Sequence, residues 1–362
     1  MLKKLDIYIM RKYLGTFVFT ILIFTMIALV FDFSDRVSKF IEYELSAEQI
    51  IREYYIHFVP WINSILFPIY ALIGVIFVTS RLANQSEIIS MLGAGMSFGR
   101  ILRPYILSAG IIVAFHLIGN HWVIPDGNKV LKDFENKYIF TKNVKNKNKN
   151  VHLFIGPDTK IYLRYYRPKD TTGLDFRIEQ FEDEKLVKLI RANSINFIDT
   201  PHVWRLKDYE IRTFDEDEEE LYVGRRQTLD TSLNFTPRDF IYYTNQKEMM
   251  TTRELNEFIE IQRQKGSGGS RIYEVEKHRR TADPFTILIL TVIGVAVGGR
   301  KVRGGMGLHL AMGVVIGAIY IFLSKVSITF TTNHQISPLI GVWIPNMIFS
   351  LLAVYLVHKA QK

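Results

Sequence analysis

Glu87 is the acid with the most suggestive surroundings. It lies in RLANQSEIISMLGAGMSFGR, residues 81–100, between two long apolar runs. At helical pitch from Leu82 to Met96, Leu82, Ile88, Ile89, Met91, Leu92 and Met96 fall on one broad side. Ala83, Ser86, Ser90 and Ala94 fall on the other, with Glu87 among them. A single carboxylate in a shallow face of small residues suits an ion pair with a basic residue of a docked protein, which would fix register and orientation. A solvated acid on an interfacial helix is the plainer alternative. The stretch is too polar to cross a bilayer, and Gly93, Gly95 and Gly99 predict that the helix breaks and turns back toward the membrane.

Other candidates lie beside apolar runs. Asp32, Asp35, Arg36 and Lys39 follow the first run, and Lys325 falls about a turn inside the fifth. A lysine there either snorkels to the interface or meets the phosphates of an anionic lipid. His116, Asn120 and His121 cluster near Trp122, but two histidines five apart share a helix face poorly, so no metal site is expected. The acidic run 215–220, DEDEEE, reads as a hairpin tip without calcium-binding geometry. Walker and HExxH motifs are missing, and no convincing acid pair appears. With no cysteine, disulfides and thiolate chemistry are excluded. The chain is therefore not expected to hydrolyse nucleotide, to be an enzyme or to need a cofactor. Energy for mechanical work would come from a partner.

The elements that must position these residues follow from hydropathy. Of 362 residues 48% are hydrophobic, and the mean hydropathy of +0.09 averages two populations. Runs almost free of charge cover Tyr13–Phe31, Ile56–Ser80, Pro104–Ile124, Pro284–Gly298, Gly304–Phe330 and Ile336–Val357. At about 1.5 Å per residue these predict six membrane helices. Lys3, Lys4, Arg11 and Lys12, then Arg81, Arg100 and Arg103, then GGRKVRGG and the final HKAQK mark alternate loops as cytoplasmic, with both termini inside. The same rule accounts for the net charge of +9, so no nucleic-acid partner is expected. Glycines at 307, 313 and 317 would allow close helix approach, to a partner subunit or within the chain.

Between the third and fourth runs the texture changes. Alternating stretches such as KIYLRYY, FRIEQF and VWRLKDYEIRTF are separated by turn chemistry. They predict an all-β, jelly-roll-like domain on the far side of the membrane, with an apolar interior between two sheets. TKNVKNKNKN is expected as a solvated loop at its start. MTTRELNEFIEIQRQ is expected as a Thr-capped helix before a flexible link. The division is thus 1–124 (spans one to three, with a cytoplasmic coupling helix at 82–97), 125–277 (the β domain and its following helix) and 278–362 (spans four to six).

Several of these stretches together resemble one family, the LptF/LptG permeases of the lipopolysaccharide export machine of Gram-negative inner membranes. They are LDIYIMRKYLGTF, SEIISMLGAGMS, VWRLKDYEI, EVEKHRRTADPF, GGRKVRGG and VWIPNMIFSLLAVYL, in that order over essentially the whole chain. The opening segment and the acid-rich end of span one look more like the G-type. The resemblance implies two paralogous six-span permeases, one F-type and one G-type, that take lipopolysaccharide from the outer leaflet. A cytoplasmic ABC ATPase dimer would drive them, and a periplasmic bridge of jelly rolls would receive the lipid. It further implies that Ser86, Glu87, Ser90, Met91 and Ala94 meet the ATPase, and that Arg36, Lys39 and Lys325 meet the lipid. The rivals are a mechanotransmitting ABC subunit, a type that usually has four spans, and a membrane anchor that only displays a β domain.

Overall fold

The computed structural model describes residues 3–140, 144–146, 149–156, 158–167, 170–183, 185–199, 202–215, 218–237, 241–243, 246–264, 270–300, 305–333 and 335–360. Two compact units result. The membrane unit comprises 1–134, 247–253 and 271–362, and the β unit comprises 135–246 and 254–270.

Helix α1, Lys4–Glu42, runs unbroken through the first apolar stretch and on through DFSDRVSKFIE. After a short α2, Ala47–Gln49, and a π-helical segment at Ile50–Tyr55, α3 spans Ile56–Asn84. Helix α4, Glu87–Gly93, is a short helix between the second and third spans, and α5, Phe98–Ile118, is the third span. A π-helical segment at Gly119–Val123 carries α5 into α6, Ile124–Phe134. The helix thus continues nine residues past Pro125, where the strand-rich domain was expected to open. Pro125 follows the π-helical segment within one continuous helical run, where the regular backbone ladder is already interrupted. Helices α7, Gln246–Met249, and α8, Thr252–Gln264, follow the strands, and α8 is the helix anticipated after MTT. Helices α9, Ser270–Gly298, α10, Gly305–Thr332, and α11, Pro338–Ala360, complete the six that, among the described residues, are long and apolar enough to cross a membrane.

Burial differs sharply among the spans. In α3 and α9 61% of the apolar stretch is buried, against 11% in α1 and 17% in α10, so α3 and α9 form the centre of this unit. Polar side chains stitch it together. Tyr13 shares a hydrogen bond of 2.8 Å with Thr291, Ser80 shares one of 2.6 Å with His309, and Thr286, Tyr320 and Asn346 form a buried triad. Such bonds matter in a bundle where apolar packing competes with equally apolar lipid. Gly313 and Gly317 serve approach within the chain: a Cβ at Gly313 would collide with Ile76, and one at Gly317 would touch Leu72. Gly307 faces open space.

The described residues of the β unit form one short pair and one main sheet. Strands β1, Val144–Asn146, and β8, Ile241–Tyr243, pair with each other. The main sheet is β2, Lys149–Gly156; β3, Thr159–Arg167; β4, Thr172–Glu182; β5, Lys185–Asp199; β6, Val203–Asp215; and β7, Glu218–Ser232. All neighbours are antiparallel and in chain order, so an all-β domain is inserted between the third and fourth spans. Its described strands form a meander instead of two facing sheets, because each hairpin returns beside its predecessor. Part of the expected loop 141–150 is strand; the rest of it lies outside the described residues, as do 216–217 of the acidic tip, the link 265–269 and residues 301–304 of the basic GGRKVRGG loop.

One face of the meander is apolar at period two, with Ile161, Leu163, Phe176, Ile178, Ile195, Trp204 and Leu206 buried. Leu233 and Phe235 fold onto it after β7. Trp204 stacks on Phe235 at 4.5 Å, meets Phe197 at 5.1 Å, and donates its indole N–H to the Phe235 carbonyl at 2.9 Å. Trp204→Ala should therefore cost about 3–5 kcal/mol of β-domain stability. Limited proteolysis of the detergent-solubilised full chain would show faster cleavage within the strands; an unchanged rate would contradict this role. On the opposite face Arg205 grips Asp230 through two bonds of 2.7 Å, and this hydrogen bonding holds the Asp230 carboxyl below its ordinary range.

Candidate functional site: the α4 handle

The expected helix at 82–97 is broken in two places. Leu82 and Ala83 belong to the end of α3 and are fully buried in the bundle. Ser86 takes a left-handed backbone conformation at φ 61°, so the chain bends there, and α4 starts at Glu87 and ends at Gly93. Gly95, at φ 83°, is the left-handed residue that turns the chain toward α5, a conformation a glycine accepts without steric cost.

Rotation of α4 then decides which residues are offered outward. Ile88 and Met91 are buried against the bundle at 2% and 8% exposure, so Met91 faces away from any docked protein. Ser90 and Ala94 are exposed, while Ser86 is half-buried with its carbonyl accepting from the Ser90 hydroxyl at 2.9 Å. Beside them Ile89 is 50% and Leu92 is 40% exposed, a small apolar patch, although both were expected on the same broad side as Leu82, Ile88 and Met91. The cause is the break at Ser86: a continuous helix from Leu82 would carry the phase of α3, whereas α4 has its own.

Glu87 does not stand alone. The Tyr8 hydroxyl donates to its two carboxylate oxygens at 3.1 and 3.0 Å, Lys12 Nζ lies 3.7 Å away, and Lys12 also hydrogen-bonds Tyr8. Asp6 is 1% exposed and accepts two bonds from Arg100, at 2.5 and 2.8 Å. The first turns of α1 are thus fastened to both flanks of the α4 loop, by Glu87 before it and Arg100 after it. Tyr8, Asp6 and Arg100 were not singled out from the sequence. Contacts about 80 and 94 residues apart leave no local pattern, and Arg100 registered only as a basic flank.

The three candidate lipid contacts are placed differently from one another. Arg36 is held by Asp32 at 2.6 Å, with side chains 12% and 9% exposed, and lies over the Tyr54 ring, whose hydroxyl donates to the same Asp32 oxygen at 3.0 Å. Its charge is thereby committed inside the bundle. Lys39 is half-buried and pairs with Glu42 at 2.6 Å. Lys325 is exposed on α10 and lines a polar cavity with Asp283 and Arg279. The histidines do not converge: His116 is buried beside the Phe67 ring at 5.0 Å, and His121 shares a 2.8 Å bond with Thr252. Among the described residues no group of three histidine or acidic side chains could hold a metal ion.

Six spans, a β domain inserted after the third, and a short amphipathic turn after the second define a multi-pass membrane permease with an extramembrane module. The family model described as lipopolysaccharide export system permease LptF/LptG matches residues 7–359, and the chain belongs to that family. It is 20% identical over 360 residues to the lipopolysaccharide export system permease protein LptG of Escherichia coli K12, covering 97% of this chain and 98% of that one. The LptG protein of Haemophilus influenzae is 22% identical over 298 residues, 82% of each chain.

Proposed function

We propose that this chain is the transmembrane subunit of an ABC transporter in the inner membrane that extracts lipopolysaccharide from the outer leaflet and passes it to a periplasmic bridge of jelly-roll domains. Basic flanks place both termini in the cytoplasm and the β domain in the periplasm. A cytoplasmic ABC ATPase dimer seats on α4 through Ile89, Ser90, Leu92 and Ala94, with Glu87 at the edge of the contact. The observation that carries this reading is the outward apolar patch of α4, roped to α1 by Glu87 and Arg100. A push on α4 is then felt at once by the first span. Glu87 therefore has two partners to serve, a basic residue of the ATPase and Tyr8 of its own chain.

The second subunit is a paralogous F-type permease, this chain being the G-type, the name its curated relatives carry. Large apolar surfaces left open on α1 and α10 suit a subunit partner and a lipid route between them. A covered route is required. Each exposed CH₂ of an acyl chain costs about 0.8 kcal/mol in water, so free desorption of a lipid with several chains is prohibitive. Of the candidate lipid contacts Lys39 and Lys325 remain accessible for anionic groups, whereas Arg36 acts by holding the end of α1.

The test is a pull-down of detergent-solubilised full-length protein. Recovery of an ATPase and a second six-span permease, with ATPase activity in the eluate, is the expected result. Recovery of neither would leave the chain a membrane anchor for its β domain and overturn the exporter reading. A mechanotransmitting subunit would recover an ATPase but would not crosslink lipid between its spans.

A further inference from the structure

Where α3 and α9 begin and α5 and α10 finish, the membrane unit encloses a cavity of about 240 Å³. Its lining carries charges of both signs: Glu248, Glu276 and Asp283 with Arg279, Arg280 and Lys325, beside Trp61 and Asn128. Taken together the six charges cancel.

Some of these groups satisfy one another. Glu276 takes Arg279 at 2.9 Å and Arg280 at 3.3 Å, and Arg280 also donates to the Lys247 carbonyl at 2.9 Å. The others do not. The side chains of Asp283, Glu248 and Lys325 make no hydrogen bond or ion pair among the described residues, although all three line the same space. Asn128, only 4% exposed, donates to the Glu248 carbonyl at 3.0 Å, but its Oδ1 is buried and accepts nothing. An ammonium and two carboxylates that line one cavity without meeting, plus an orphaned amide oxygen, are costly at the end of a membrane span.

A ligand that satisfies them must offer both an anion and N–H donors. A lone phosphate leaves the carboxylates and Asn128 Oδ1 idle; a metal cation meets three basic side chains. We propose that the cavity binds a phosphoethanolamine headgroup, its phosphate held by Lys325 and Arg279 and its primary ammonium by Asp283, Glu248 and Asn128 Oδ1. The position suits a lipid. Lys325 lies seven residues before Thr332, about 10 Å from the end of α10, and Trp61 sits at the matching level of α3, where aromatic residues mark the interface. Phe322, one turn before Lys325 and 67% exposed, leaves apolar surface for acyl chains. Two sources carry this headgroup, a membrane phospholipid and a glycolipid substituted with phosphoethanolamine.

The full chain in nanodiscs containing equal phosphatidylethanolamine, phosphatidylglycerol and phosphatidylcholine would be exchanged into detergent and its retained lipid measured by native mass spectrometry. Wild type should retain phosphatidylethanolamine over either competitor by about tenfold or more, the scale of one charge-assisted hydrogen bond. Lys325→Ala and Asp283→Asn should each abolish the preference, and Lys325→Arg should keep it. Displacement by lipopolysaccharide bearing phosphoethanolamine, but not by the unsubstituted form, would name the glycolipid as a second source; displacement by neither would leave the phospholipid as the occupant. No preference in wild type, a preference that survives Asp283→Asn, or equal displacement by unsubstituted lipopolysaccharide each overturns the proposal. None of these readouts involves the ATPase or export, so they stand or fall apart from the exporter reading.

Discussion

Glu87→Arg is expected to abolish lipopolysaccharide export while the protein remains folded and inserted. The substitution puts a cation beside Lys12, removes the acceptor of the Tyr8 hydroxyl, and presents the wrong sign to the basic residue proposed on the ATPase. Truncating or reversing one partner of a close interfacial pair is worth about 1.5–7 kcal/mol in comparable cycles, so capture of the ATPase should fall by more than about tenfold. Membrane fractionation with an export assay in cells checks both halves. Tyr8→Phe tests the tie to α1 separately: it removes the Tyr8 hydrogen bond, leaves the Lys12 pair, and should leave ATPase capture intact. Normal export by Glu87→Arg would end the coupling argument. Equal loss of capture in Tyr8→Phe would assign Glu87 to α1 alone.

Glu276→Ala should be the most damaging single change within the membrane unit. The Glu276 and Arg280 side chains are each 5% exposed, and this one carboxylate serves both Arg279 and Arg280. Its removal leaves an uncompensated buried guanidinium, a situation that costs about 3–5 kcal/mol. Arg280 also fastens the Lys247 carbonyl and Thr252, so the segment 247–253 should loosen at the same time. Thermal unfolding of the solubilised protein should show a clearly lowered midpoint, with Glu276→Gln affected less because it keeps an acceptor. A midpoint equal to wild type would mean that water reaches the pair and solvates it.

Much of this architecture is a one-dimensional property. A charge-free run of about twenty residues has no stable place outside a bilayer or a core, and alternation at period two makes a strand whatever surrounds it. Hence six spans, the inserted strands and the polar turn carrying Glu87 were legible in the residues alone, as was the family whose motifs they follow. Boundaries were less so. The strand-rich domain was expected to open at Pro125, yet α6 runs to Phe134, because the π-helical segment before the proline lets the helix continue through it.

Which faces and partners these elements take was decided only by the tertiary structure. Met91 turned inward and Ile89 and Leu92 outward because one left-handed residue, Ser86, reset the helical phase. Arg36 lost its availability to Asp32, four residues earlier on its own helix, once Tyr54 closed over the pair from another. Asp6 found Arg100, and Asp283 came to share a cavity with Lys325, across distances in sequence over which no periodicity persists. Hydropathy and spacing report how a residue relates to water and to its near neighbours. Charge pairing over long separations depends on how the helices rotate and pack, and that is settled by the sum of many apolar contacts with no local signature.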